Sequence, residues 1–162
     1  GFLYAGLMIS KDGEAKVIEY NCRFGDPETQ PIMMRLQSDL VQLCDAAIDK
    51  TLDQTSTQWD DRAAVGVVLA AGGYPGSYDK NLPISGLDQN KNSAAKIFHA
   101  GTTIKNDEVV TNGGRVLCAT ALGQSVTAAQ ESAYELAKQI SWKDMFFRTD
   151  IAYRAIDREK EG

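Results

Sequence analysis

The chain has 162 residues, 43% of them hydrophobic and 24% charged, which is enough to bury a core and excludes disordered and collagen-like classes. Its 17 basic and 22 acidic residues give a net charge of -5, so there is no cationic footprint for nucleic acid or an anionic membrane, and small-molecule chemistry is expected. Three cysteines, Cys22, Cys44 and Cys118, are odd in number and widely spaced, so neither a disulfide framework nor a Cys-x-x-Cys metal site is expected, and a reducing, cytoplasmic location follows. The longest apolar run, residues 63–73, is about half of the ~20 residues a membrane-spanning helix needs, and the start carries no secretory leader pattern.

In chain order, "FLYAGLMIS" and "AKVIEYNCRF" flank "KDGE", and two strand-like runs around Asp12-Gly13 predict an antiparallel β-hairpin. Alternation puts Val17, Glu19, Asn21 and Arg23 on one face of the second strand and Ile18, Tyr20, Cys22 and Phe24 on the other, which is expected to be core. After Pro27 the period changes to 3.6. Leu40, Leu43, Cys44, Ala47 and Ile48 form one apolar stripe, predicting a helix with Ser38 as N-cap, packed on the hairpin. The polar stretch "DQTSTQWDDR" sets an expected domain boundary, dividing residues 1–61 from 62–162. Beyond it, "AAVGVVLAAGGYPG" predicts a strand running into tight turns. "KIFHAGTTIKNDEVVTNGGRVLCATALG" predicts short strands with hairpin turns at Asn106-Asp107 and at Asn112-Gly113-Gly114. A last helix over 127–140 has Ala129, Ala133, Leu136, Ala137 and Ile140 on one face. The expected class is α+β, with antiparallel strands and helices and no internal repeat.

The chemistry concentrates in "KVIEYNCRFGDPETQ". Glu19, Asn21 and Arg23 stand in a row with neighbours roughly 6.5 Å apart, and burying any of them costs several kcal/mol unless something pairs with it. A hard divalent cation takes oxygen ligands from one or two protein groups and completes its shell with water and substrate phosphates, a role that suits Glu19 and Asn21. Arg23 supplies a fork for a carboxylate or phosphate. The plain alternative is a Glu19–Arg23 pair on a solvated hairpin face. Asp26-Pro27-Glu28 likewise has two readings, as further acidic groups beside that face or as ordinary helix-start composition.

Three ordered motifs, "LYAGLMISKDGEAKVIEYNCRFGDPETQ", "HAGTTIKNDEVVTNGGRVLCATALG" and "FFRTDIAYRAI", resemble the C-terminal part of the phosphoribosylamine–glycine ligase family of ATP-grasp enzymes, over essentially the whole chain. The resemblance implies the tail of an ATP-grasp domain followed by a small antiparallel C-terminal domain, with the rest of the enzyme lying outside this chain. It implies glycine, 5-phosphoribosylamine and ATP as substrates, joined through a glycyl phosphate in de novo purine synthesis, and no partner of nucleic acid or membrane. Carried onto this sequence, the metal ligands for Mg²⁺ or Mn²⁺ fall on Glu19 and Asn21. Arg23 then clamps the carboxylate or acyl phosphate; on charge and position alone, Asp26 or Glu28 is expected to hold the glycine ammonium. Gly113, Gly114 and Arg115 are expected at a phosphate, that of phosphoribosylamine, against the alternative of a plain turn. The 162 residues alone are expected to be inactive, because no Gly-rich phosphate loop and no grasp-type lysine are present in the sequence.

Elsewhere the expectations are structural. Gly72-Gly73-Tyr74-Pro75 is tight-turn chemistry, His99 is a satisfied histidine with no catalytic part, and the three cysteines are small core residues. Arg148, Asp150 and Arg154 are expected as an ordinary ion-pair cluster, in preference to the alternative that they close on the active site. The family pattern carries Gly where Ala152 stands, which questions a special backbone conformation there. Two rivals keep other readings open: a related ATP-grasp carboxylase, which the Gly-Asp-Pro-Glu turn disfavours, and a module without a catalytic site.

Overall fold

The structure, a computed structural model, describes residues 1–161. Its strands are β1 (Tyr4–Ile9), β2 (Ala15–Asn21), β3 (Ala63–Ala70), β4 (Ala95–His99), β5 (Thr102–Lys105), β6 (Glu108–Thr111) and β7 (Arg115–Gly123). Its helices are α1 (Thr29–Arg35), α2 (Leu40–Ile48), α3 (Val126–Gln139) and α4 (Tyr153–Glu161). Strands pair antiparallel throughout, in sheets ordered β1-β2, β3-β7-β4 and β5-β6, so the class is α+β as expected.

The core forms around β7, the central strand, whose residues from Val116 to Leu122 are all buried. An uninterrupted buried run such as this marks a strand covered on both faces. One cover is α3, which turns Ala129, Ala133, Leu136 and Ala137 inward. Alanines four apart form a smooth stripe that lets the helix approach closely, and at Gly123 an added Cβ would collide with the backbone of Ala128 and Ala129. Ser125 caps α3 by accepting from the Ala128 amide at 3.1 Å. The opposite side receives α1, where Pro31 fills the space left by Gly66 of β3.

Asn106-Asp107 forms the expected hairpin tip, with φ of 50° and 61°. Asn112-Gly113-Gly114 does not form the second turn. His99 faces Leu117 and Thr102 faces Thr111, so three steps on one arm match six on the other, and residues 112–114 are looped out of one long bent hairpin. The reason is a close crossing. The Gly101 amide donates to Arg115 O at 2.9 Å, the Asn112 amide to Gly101 O at 2.7 Å, and a Cβ on Gly113 would stand 2.8 Å from Gly101 Cα.

The amino-terminal third departs further from expectation. The hairpin β1-β2 forms, yet no residue of it is buried, and Ile18 and Tyr20 on the face expected to be core are 63% and 60% exposed. Cys22 is exposed and Cys44 half-buried, leaving Cys118 as the one core cysteine among the described residues. Among the described residues no helix packs extensively on the hairpin: α1 packs on β3 and β7, and α2 lies beside the 3-10 turn Leu52–Gln54. Asp39, not Ser38, caps α2, accepting from the Val41 amide at 2.8 Å; Ser38 instead accepts from the Gln58 amide at 2.7 Å and ties down the linker.

Residues 153–161, to which the sequence reading assigns no element, form α4. Only Ile156 of α4 is buried, so little apolar periodicity announces it. Its anchor is polar: the Glu159 carboxylate accepts from the amides of Val126 and Thr127 at 2.5 and 3.1 Å, at the amino end of α3.

Candidate substrate and metal site

A bulge shapes the site before any side chain does. Gly6 pairs with Glu19 but Leu7 with Val17, so β2 carries one extra residue at Ile18 and the alternation resets there. Glu19, Asn21 and Arg23 consequently line one open cavity of about 490 Å³, while Val17, expected on the same face, does not. Gly6 makes room across the hairpin, where the Glu19 side chain lies 3.2 Å from the position of a Cβ.

The other wall is the turn from Gly25 into α1. Thr29 holds it shut, its amide and hydroxyl both donating to Gly25 O at 3.1 and 2.6 Å. The Glu28 carboxylate folds back over Gly25, in space that any Cβ would occupy. Tyr4, opposite Asn21 in the hairpin, donates its hydroxyl to Glu28 at 3.5 Å. The Glu28 charge, with burial, that hydrogen bond and the charge of Glu19 behind it, pushes the Tyr4 phenol above its ordinary value. Arg23 donates to Phe24 O at 2.9 Å. From the other sheet, Arg115 donates to Asp26 O at 2.8 Å and pairs with the Asp26 carboxylate at 3.1 Å. Burial works against its charge, but Asp26 and Tyr74 outweigh it and hold the guanidinium above its ordinary value.

Six of the eight sequence-predicted site residues, Glu19, Asn21, Arg23, Asp26, Glu28 and Arg115, meet in this cavity. Gly113 and Gly114 do not line it; they pack against Gly101 and Tyr74. Among the described residues the Glu19–Arg23 ion pair is not formed, and neither Glu19 nor Asn21 uses its side-chain oxygens in a hydrogen bond. No cluster of three or more His, Cys, Asp or Glu able to hold a metal ion occurs among the described residues. A cation here would therefore rest on one carboxylate and one amide oxygen, a donor set that fits a hard divalent ion sharing its shell with phosphates and water. The sequence reading missed Tyr4 and Thr29. Counting back from the Asp12-Gly13 turn without a break would set Tyr4 opposite Tyr20; the bulge at Ile18 moves it to face Asn21, so the sequence carried no signal for it.

The remaining candidates lie elsewhere. His99 is exposed, with Nδ1 3.0 Å from the Thr102 hydroxyl. Arg148 and Asp150 form a two-pronged pair at 2.8 and 2.7 Å, and Arg154 donates to the Tyr153 hydroxyl. None of them lines the cavity.

Fold and cavity together belong to a known architecture. Residues 64–154 match the family described as phosphoribosylglycinamide synthetase, C domain, and residues 1–29 match the ATP-grasp (A) domain of the same synthetase. The chain therefore belongs to the phosphoribosylglycinamide synthetase family. It is 69% identical over 161 residues to a phosphoribosylamine–glycine ligase of Vibrio vulnificus (strain CMCP6), covering 99% of this chain and 38% of that protein. Identity to the phosphoribosylamine–glycine ligase of Escherichia coli (strain K12) is 60% over 161 residues, again 99% of this chain and 38% of the relative. The crystal structure of phosphoribosylamine–glycine ligase from Thermotoga maritima is similar with a TM-score of 0.72 at 36% identity, over 93% of this chain and 36% of that one. The chain thus spans well under half the length of the relatives it matches.

Proposed function

We propose that this chain forms part of a cytoplasmic ATP-dependent ligase that joins glycine to 5-phosphoribosylamine, giving glycinamide ribonucleotide, ADP and phosphate in purine synthesis. The observation that carries this reading is the convergence of three carboxylates, two guanidiniums and one amide oxygen on a single cavity at the β2–α1 junction. The names of the similar proteins support it. In this reading residues 1–61 complete an ATP-grasp domain, residues 62–162 form the C domain, and further protein corresponding to the rest of the relatives' length brings the nucleotide lobe.

Glu19 and Asn21 would hold Mg²⁺ or Mn²⁺, which when bound neutralises phosphate charge during phosphoryl transfer. Arg23 orients the glycine carboxylate for attack on the γ-phosphoryl group of ATP, and its planar fork then stabilises the acyl phosphate. Asp26 or Glu28 holds the glycine ammonium, fixing which end of the amino acid faces ATP. Arg115, with Gly113 and Gly114 leading into it, faces the phosphate of phosphoribosylamine, whose amine displaces phosphate from the acyl carbon.

The test is glycine-dependent ADP release. The full-length enzyme should show it, and Glu19→Gln should lower kcat on the order of a hundredfold at saturating metal, because one negative ligand is lost. Near wild-type kcat in that variant removes the metal assignment. The 162 residues alone should be folded and release no ADP, since the nucleotide needs a second lobe; release by the isolated chain would place a complete nucleotide site within it.

A further inference from the structure

Arg115 is built more rigidly than a residue that only reaches for a ligand requires. Its backbone is fixed on two sides, paired with Ala70 of β3 and accepting from the Gly101 amide at 2.9 Å. The residue before it, Gly114, lies flat under the Tyr74 ring, where any Cβ would overlap ring atoms, and its carbonyl accepts from the Ala71 amide at 2.8 Å. Tyr74 is itself held by the Gly72-Gly73 turn. Gly73 has φ of 93°, and a Cβ on Gly72 would stand 2.5 Å from Asp144 Cβ. On its outer side Tyr74 meets Tyr78 edge-on, with ring centroids 6.2 Å apart.

From this mount the guanidinium crosses 89 residues of sequence to hold the Asp26 carbonyl and carboxylate together. The two side chains are 40% and 60% exposed, so the pair adds little to global stability. Gripping main chain and side chain of one residue does something else: it fixes the orientation of the turn that carries Asp26 and Glu28. We infer that Arg115, braced by Tyr74 against Gly114, is a positioning residue that sets the Gly25–Glu28 turn, and that this is what the Gly72-Gly73-Tyr74-Pro75 motif is for. The consequence for glycine binding rests on the function proposed above; the mechanical link does not.

Two readouts in the full-length enzyme separate these. The first is hydrogen exchange of the Thr29 amide, which closes the turn on Gly25 O. Arg115→Ala should speed its exchange about tenfold, with amides of Val116–Leu122 unchanged, as expected for loss of a charge-assisted contact that is local. Tyr74→Ala should move it the same way by a smaller factor, and Tyr74→Phe, which keeps the ring but not the hydroxyl near Arg115, should move it less than Tyr74→Ala does. The second is kinetic: Arg115→Ala should raise the KM for glycine about tenfold with the KM for ATP within about twofold. Unchanged exchange at Thr29, or faster exchange throughout β7, overturns the positioning role. A raised KM for phosphoribosylamine with both the KM for glycine and the Thr29 exchange unaltered would overturn it too, making Arg115 a direct phosphate contact alone. If wild type itself shows no glycine-dependent ADP release, the proposed function fails while the exchange result still decides what Arg115 does.

Discussion

Paired truncations of Leu69 and Ile18 measure how unevenly stability is distributed. Leu69 is fully buried in β3, where its neighbours include the α3 face, so Leu69→Ala removes three carbons and leaves a space that a sheet clamped on both sides cannot collapse. The cost should be about 3–5 kcal/mol, and at two to four degrees per kcal/mol for a chain of this size Tm should fall by roughly 6–20 °C. Ile18 is 63% exposed at the bulge of β2, so a little over a third of its apolar surface is at stake. Ile18→Ala should cost under about 1 kcal/mol and shift Tm by no more than about 4 °C. Thermal unfolding of the 162-residue chain followed by near- and far-ultraviolet circular dichroism gives both numbers. If Ile18→Ala costs as much as Leu69→Ala, the hairpin face is packed in solution and the uneven distribution of stability is refuted.

Three further outcomes follow from single contacts. Arg23→Lys should not rescue Arg23→Ala: kcat/KM for glycine in the full-length enzyme should fall by several kcal/mol in both, since an ammonium cannot reproduce the planar fork, and equal damage to the ATP KM would instead assign Arg23 to the sheet. The backbone amides of Val126 and then Thr127 hold the Glu159 carboxyl below its ordinary value, so its contribution is present at neutral pH and is lost as pH falls through that lowered value; Glu159→Gln should lower Tm at pH 7 and flatten its decline in acid, and an unchanged pH profile would dismiss the α4 anchor. Ala152 adopts φ of 67°, a region costly for a residue with a Cβ, so Ala152→Gly should raise stability by about 0.5–1 kcal/mol in denaturant titration, and a loss would show that the strain is offset elsewhere.

What the sequence made legible divides along physical lines. Where one local signal has one solution, as at Asp12-Gly13 or the alanine stripe of α3, the element follows directly. Where the same residues serve two purposes it does not: Asn112-Gly113-Gly114 suits a hairpin turn, but these glycines are small because two backbones cross at Gly101 and a tyrosine ring lies on Gly114. The bulge at Ile18 leaves no compositional mark, since the apolar alternation runs straight through it, yet it decides that Glu19 and not Val17 enters the cavity. The apolar residues of β1 and β2 report that a face wants cover, and composition is silent on where that cover comes from. In the site, alternation alone groups Glu19, Asn21 and Arg23. Arg115 belongs with them only through its contact with Asp26, 89 residues away, which no local pattern encodes. Ala152 shows the reverse case, keeping the left-handed conformation without the glycine that would have advertised it.

The looped-out residues 112–114 also bear on the order in which the C-terminal sheet assembles. The tip at Asn106-Asp107 can close first, because its ends are already adjacent, and zippering then proceeds through β5-β6 into β4-β7. Pairing β3 directly with β7 would join Ala70 to Arg115 across 45 positions, whereas a preformed arm leaves only the 25 positions from Ala70 to Ala95 as free loop. The saving in chain entropy is only about 0.5 kcal/mol, but it favours β3 docking last, onto a template already registered by the crossing at Gly101 and Gly113. Truncations at Val109 or Ile97 should then slow refolding, and truncation at Val67 should mainly hasten unfolding. The opposite partition in a chevron series would make β3-β7 the nucleus. A three-residue insertion that looks like slack in the hairpin is thus a pause point, where the ribbon can bend before the long-range strand arrives.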